Sequence, residues 1–150
     1  MAEKKRINIP NKKAGFNYHT EESYNAGMVL TGPEVKSIRA NNLNMGDAYC
    51  MFREDELFLV NMHISEFKQA SGFAVQNPLR ERKLLLTKKE MGRLQHKAKN
   101  KGYSIFPIRL FENELGIFKM EIGIGQGKKQ YDKRDDMKER DVKRELERYK

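Results

Sequence analysis

One cysteine, Cys50, stands in 150 residues, so no disulfide within the chain is possible. A lone thiol fits a reducing compartment. No run of 18 or more apolar residues occurs, which argues against a membrane-spanning helix. The stretch from Met1 to Lys13 carries charge but no apolar segment, so it does not read as a signal peptide. Only three histidines are present, His19, His63 and His96, and they are scattered. No Cys/His spacing fits a zinc site, and neither G-x-S-x-G nor H-E-x-x-H occurs. Gly123, Gly125, Gly127 and Lys128 look superficially like a phosphate loop. However, Lys129 stands where a P-loop needs Ser or Thr, and no βαβ unit surrounds them. A non-enzyme with no metal and no cofactor is the expectation.

What is abundant is positive charge, with a formal net of +9. Its placement is uneven. Residues 1–13 hold five Lys/Arg against one Glu, residues 80–102 nine against two, and residues 126–150 ten against seven. The remaining segments are acidic, with six cations against eleven anions. Two basic ends and one basic internal stretch point to a face that meets phosphates.

Residues 1–15 read as a flexible basic arm, residues 16–125 as one folded unit and residues 126–150 as a tail. Residues 16–30 read as strand. Gly32 and Pro33 break it, and Pro33 suits the first turn of a short helix over 33–40, capped by Thr31 or Gly32. Segments 47–53 and 56–64 form a hairpin. In the latter, Phe58, Val60, Met62 and Ile64 alternate with Leu57, Leu59, Asn61 and His63. His63 in this apolar run reads as a packed or hydrogen-bonded core residue, and His96 as solvated or facing phosphate. Residues 66–79 form a loop and Leu84 to Leu86 a buried strand. Thr87 and Glu90 make a capping box for a helix whose inner face holds Met91, Leu94 and Ala98, ending at Gly102. Residues 103–111 and 117–124 make a second hairpin, with period two from Phe118 to Ile124.

The glycines at 123, 125 and 127 read as a hinge by which the chain leaves the folded unit. Beyond them lie 17 charges and few large apolar groups, too little to fold alone. Val142, Leu146 and Tyr149 nevertheless fall at helical spacing, so the tail reads as disordered when free and helical when bound. Mainly β structure with short helices (α+β), arranged as an OB-fold-like antiparallel barrel, is the expected fold. Phe16, Tyr18 and Tyr24 are placed either to stack on unpaired bases or to pack in the core, and composition leaves both open. These observations reach a basic RNA-binding module with a tail that folds on binding, without naming the RNA.

Five stretches go further. They are N-K-K-A (Asn11 to Ala14), A-G-M-V-L-T-G-P-E-V-K-S-I-R (Ala26 to Arg39), N-M-H-I-S (Asn61 to Ser65), N-P-L-R-E-R-K-L-L-L (Asn77 to Leu86) and G-K-K-Q-Y-D-K-R-D-D-M-K-E-R-D (Gly127 to Asp141). In order and spacing, across about residues 8–148, they resemble the SsrA-binding protein (SmpB) family. The resemblance implies a six-stranded antiparallel OB-type barrel. It also implies binding to the tRNA-like domain of transfer-messenger RNA and entry into stalled ribosomes, in the cytoplasm, by a monomer that binds neither membrane nor DNA. On the matching positions, Asn11, Lys12, Lys13, Tyr18, Glu34, Lys36, Arg39, Lys83 and Leu85 belong to the RNA-binding face. Cations there would meet phosphates, and Leu85 and Tyr18 would pack on sugars or bases. Glu34 would accept from base or 2′-OH donors, or orient Lys36 or Arg39. Gly127, Lys128, Lys129, Tyr131, Asp132, Lys133 and Arg134 match the tail motif that engages the small-subunit decoding centre, with the following helix along the messenger channel. The chain departs from the family's usual pattern at Asn25, where an acid is common, and at Asn41 and Asn42, where G-K-A-N usually begins. It also departs at Tyr131, where many relatives carry His.

Overall fold

The computed structural model describes residues 6–67 and 76–128, and within the tail Arg134, Met137, Lys138, Arg140, Lys143 and Arg144. The elements run β1 (Asn8–Pro10), α1 (Lys12–Asn17), β2 (Tyr18–Met28), α2 (Gly32–Arg39), β3 (Leu43–Asn44), β4 (Tyr49–Arg53), β5 (Glu56–Val60), β6 (His63–Ile64), β7 (Arg82–Leu85), α3 (Lys88–Ala98), β8 (Tyr103–Glu112) and β9 (Phe118–Gly127). Six strands close an antiparallel ring in the order β8-β4-β5-β7-β2-β9, with β9 returning to β8. The mainly β architecture with short helices is the one the sequence implies.

Period-two patterning explains the ring's interior. Leu57 and Leu59 from β5, Leu84 from β7, Ile105 and Leu110 from β8, and Met120, Ile122 and Ile124 from β9 are all buried. Leu94 from α3 and Ile38 from α2, both fully buried, join the same cluster. Both longer helices begin with a reciprocal box, Thr31 with Glu34 and Thr87 with Glu90. In each, the threonine hydroxyl accepts from the N3 amide and the glutamate accepts from the cap amide. Thr31→Ala is therefore expected to lower stability by about 1 kcal/mol, the usual cost of a lost cap. A shift in urea midpoint at constant slope would report it. An unmoved midpoint would mean that Pro33 alone sets the start of α2.

Several expectations need correction. Residues 8–15 are not a free arm: β1 pairs with β8 (Asn8↔Phe111 to Pro10↔Arg109), and α1 follows. Edge pairing with a strand about 100 positions away has no local signature. Asn11 fixes the turn between them. Its amide donates to the Ile108 carbonyl (2.7 Å) and its side chain to the Pro107 carbonyl (2.9 Å). Those carbonyls sit at a β-bulge, where Pro107 has no N–H to give the ladder.

His63 is exposed rather than packed. Asn61 takes a left-handed φ of 63°, which shifts the alternation by one. Leu57 and Leu59 point inward before it, Met62 and Ile64 after it, and His63 turns to solvent. Asn41, with φ 62°, ends α2 in the same region, a conformation that glycine or asparagine adopts most readily. Asparagine in place of the more usual glycine is therefore a conservative change for the backbone.

Gly123 and Gly125 do not form a hinge. Both are buried inside β9 and pair with β2 and β8 at once. A Cβ at Gly125 would lie 1.7 Å from the His19 carbonyl oxygen, and one at Gly123 would lie 2.8 Å from the Phe106 ring. Close approach of neighbouring backbone and aromatic atoms requires glycine here, not motion. The folded unit runs through Gly127, which pairs with Tyr18. The expected free disorder of the tail lies largely outside the described residues. The six described tail residues are helical and exposed, and the Arg140 guanidinium sits 5.4 Å over the Phe16 ring of α1.

Candidate nucleic-acid interface

The expected RNA-facing residues fall into separate groups. Asn11, Lys12, Lys13 and Tyr18 cluster around α1. Lys12 and Lys13 are exposed, and Lys13 lies 3.6 Å from Asp47, itself exposed, so the pair holds little energy. Tyr18 stacks on Phe106 with centroids 4.2 Å apart and planes 5° apart. Asn11, Lys13 and Tyr18 line a cleft of about 510 Å³ between α1, the loop before β4, and β8. Tyr49, Tyr103 and Ser104, not anticipated from sequence, line it too. The tail leaves from its edge, where the Lys128 amide donates to the Asn17 carbonyl at 2.7 Å.

Lys83 and Leu85 share the outer face of β7. Leu85 is half-exposed beside Gly27, whose missing side chain leaves that flank open. Lys119 reaches this spot, as an exposed Val29 does from the β2 side, its amide bonded to the Lys83 carbonyl. Lys83 itself pairs with Glu56 at 2.9 Å. Leu85 does not join the core as a continuous Leu84 to Leu86 strand would have it, because alternation puts Leu84 in and Leu85 out.

The α2 group divides. Lys36 is exposed, with its ammonium 5.4 Å from the Phe67 ring centroid. Arg39 is exposed, bonds Glu112 at 3.2 Å and lies over Phe118. Glu34 takes neither role foreseen for it. It is buried, and its carboxylate receives the Thr31 amide (2.9 Å), Arg80 (2.6 Å) and Arg82 (2.7 Å). Arg82, fully buried on the inner face of β7, also donates to the Met62 and Pro78 carbonyls, and Arg80 donates to the Val29 carbonyl. Burial works to raise the Glu34 pKa. Bonds from Arg80, the Thr31 amide and Arg82 outweigh it, so the carboxyl titrates below its ordinary value. Burial likewise lowers the Arg82 value, opposed by Glu34. The T-x-x-E spacing at Thr31 and the inward phase shared by Arg82 and Leu84 are the sequence signals for this cluster.

The basic stretch 80–102 is thus less free than its composition implies. Arg80, Arg82, Lys83 and Lys97 have carboxylate partners, Lys97 with both Glu21 and Glu22. Hydrogen bonds from Tyr24 and Lys97 hold Glu22 below its ordinary pKa, and the same bonds raise Tyr24 and Lys97. Tyr24 is consequently tied to Glu22 (2.6 Å) rather than offered to a base. Of the tail motif, Gly127 ends β9 and Arg134 is helical and exposed, while Lys129, Tyr131, Asp132 and Lys133 lie outside the described residues. Cys50 is buried, which pushes its thiol far above the ordinary range and leaves it unreactive. Among the described residues no helix is long and apolar enough to cross a membrane, and no acid, His or Cys cluster is suited to a metal.

The family model described as SmpB protein matches residues 8–150. An SsrA-binding protein of Phocaeicola vulgatus is 49% identical over 142 residues, 95% of this chain and 94% of the relative. One from Bacillus pumilus is 48% identical over 138 residues, 92% of this chain and 87% of the relative. Among solved structures, a chain reported as "tmRNA-SmpB: a journey to the center of the bacterial ribosome" superimposes with a TM-score of 0.68. It is 37% identical, covering 82% of this chain and 85% of that one.

Proposed function

The chain belongs to the SmpB family, and on that premise we propose that it is the RNA-binding adaptor of trans-translation. It binds the tRNA-like domain of transfer-messenger RNA and delivers it to stalled ribosomes, where the nascent chain is tagged. It works by binding and holding RNA, without a catalytic step. The observation that carries this reading is the near full-length likeness to SsrA-binding proteins, together with the likeness to a chain solved with transfer-messenger RNA at the ribosome. Its place of action is the cytoplasm, where ribosomes stall.

Two outward surfaces support the division of labour. Lys12 and Lys13 on α1 and Lys36 and Arg39 on α2 supply phosphate contacts that set register. Lys83 and Leu85 add an apolar spot with a cation beside it, extended by Lys119 and Val29. Glu34 serves from beneath by holding Arg80 and Arg82. The tail from Gly127 through Lys128, Lys129, Tyr131, Asp132, Lys133 and Arg134 engages the decoding centre.

A titration against transfer-messenger RNA, with ordinary tRNA as competitor, tests the reading. Affinity is expected to fall steeply with salt, because each neutralised phosphate releases counterions. The Lys12→Ala, Lys13→Ala, Lys36→Ala combination is expected to reduce the log–log slope by about one for each phosphate left without its cation. An unchanged slope would place the phosphate-binding surface elsewhere, and equal affinity for unrelated single strands would overturn the adaptor reading.

A further inference from the structure

We propose that Asp47, Glu56 and Glu112 are specificity-determining residues, each of which holds one RNA-facing cation in the free protein and withholds it from phosphates that arrive in the wrong place. The proposal rests on the RNA-binding reading above and deepens it from where RNA is held to how unrelated RNA is refused. The cations divide in a way their motifs do not show. Lys12 and Lys36 are exposed and have no carboxylate partner among the described residues. Lys13, Arg39 and Lys83 each have one: Asp47 at 3.6 Å, Glu112 at 3.2 Å and Glu56 at 2.9 Å. Asp47 lies in the loop before β4, Glu56 opens β5 and Glu112 closes β8. The cations come from α1, α2 and β7, so no two pairs share an element and no single cluster of neighbours accounts for all three.

Glu112 is the most firmly placed of the three. Its side chain is 11% exposed and accepts from the Ile7 amide at 3.3 Å, while Arg39 lies over Phe118. The Glu56 and Asp47 side chains are 49% and 89% exposed, so their pairs open readily. A chain with a formal net charge of +9 attracts every RNA, and attraction alone selects none. The paired acids supply the selection. A lone phosphate must compete with a carboxylate already on the cation, and the displaced acid then repels it. Base edges and 2′-hydroxyls bring donors instead, which the same carboxylate accepts. An RNA whose donors meet the acids while its phosphates meet Lys13, Arg39 and Lys83 makes both contacts. An RNA of another shape meets the repulsion without the compensation, which is how an interface rejects near-matches.

The test titrates the full chain against two labelled RNAs, the tRNA-like domain of transfer-messenger RNA and an unrelated duplex of equal length. Asp47→Asn, Glu56→Gln and Glu112→Gln together are expected to tighten duplex binding roughly 10- to 100-fold, the product of three factors of about two to five for exposed pairs. The duplex's log–log salt slope is expected to steepen by about one for each freed cation that takes a phosphate. Affinity for the tRNA-like domain is expected to stay within about two-fold, because lost acceptors offset freed cations. Glu54→Gln, Glu66→Gln and Glu114→Gln together add the same charge but free no cation, since these exposed acids hold no ion pair among the described residues. That control is expected to leave the preference for the tRNA-like domain within about two-fold of the wild type, its charges being screened. Equal tightening by the control, or an unchanged preference in the first variant, overturns the proposal. If the first variant unfolds by circular dichroism, Glu56→Gln alone is expected to lower the preference about two- to five-fold, and no change there overturns the proposal too. A wild type that binds both RNAs equally rejects the adaptor reading, and one that binds neither rejects the RNA-binding reading itself.

Discussion

Glu34→Ala is expected to destabilise the protein by about 3–5 kcal/mol, a large share of what holds a domain of this size folded. The change strands Arg82, which is 0% exposed, with a charge and no carboxylate. It also removes half of the capping box on α2. Glu34→Ala combined with Arg82→Leu is expected to cost less than Glu34→Ala alone, because the second change removes the stranded charge. Urea melts of the two single variants and the double one measure this. A double variant as unstable as the sum of the singles would show that the missing bonds to Met62 and Pro78, not the orphaned charge, dominate. The same cluster predicts an acid limb. Glu34 has a folded pKa below its ordinary value of 4.5, so its contribution is present above that value and lost as pH falls through the folded pKa. Glu34→Gln is expected to be less stable near neutrality and to lack that limb.

Deleting residues 129–150 is expected to leave transfer-messenger RNA affinity within about two-fold, yet abolish tagging on stalled ribosomes. The cut preserves β9 to Gly127 and the Lys128 amide bond to Asn17, so the ring and both outward surfaces remain intact. What it removes is the segment proposed to reach the decoding centre. Tyr131→Ala is expected to impair tagging more than Tyr131→His, since a flat ring that stacks on an exposed base survives the latter. Full tagging by the truncated chain would reduce the tail to a solubilising appendage. Loss of RNA affinity would instead mean that the tail completes the RNA surface, in keeping with Arg140 lying over Phe16 of α1.

The two hairpins, α3 and the apolar interior were legible because each is written in local periodicity. β4 and β5 turn through Glu54 and Asp55, both with positive φ, and β8 and β9 alternate as their residues do. β1 was not legible. Three residues mean nothing until their partner, more than 90 positions on, is in place. Two further misreadings had one cause, that composition does not report neighbours. Glycines 123 and 125 look like freedom until His19 and Phe106 are seen against them. The stretch 80–102 looks like one phosphate-facing run until strand phase turns Arg82 inward onto Glu34. At the candidate interface, the motifs pointed to the exposed cations and Leu85. They did not supply Tyr49, Tyr103 or Lys119, which come together only once the ring closes.

That closure has a consequence for the protein's own synthesis. β9 is the last strand of the ring and the one that pairs with both β2 and β8 along their lengths. A nascent chain halted anywhere before Phe118 has no β9. It would expose the apolar faces of the other strands with nothing to cover them. Incomplete copies of this protein should therefore be recognisably unfolded and open to proteolysis, not partly active. A cell that made only fragments of its rescue factor would accumulate no half-working competitor for the complete one.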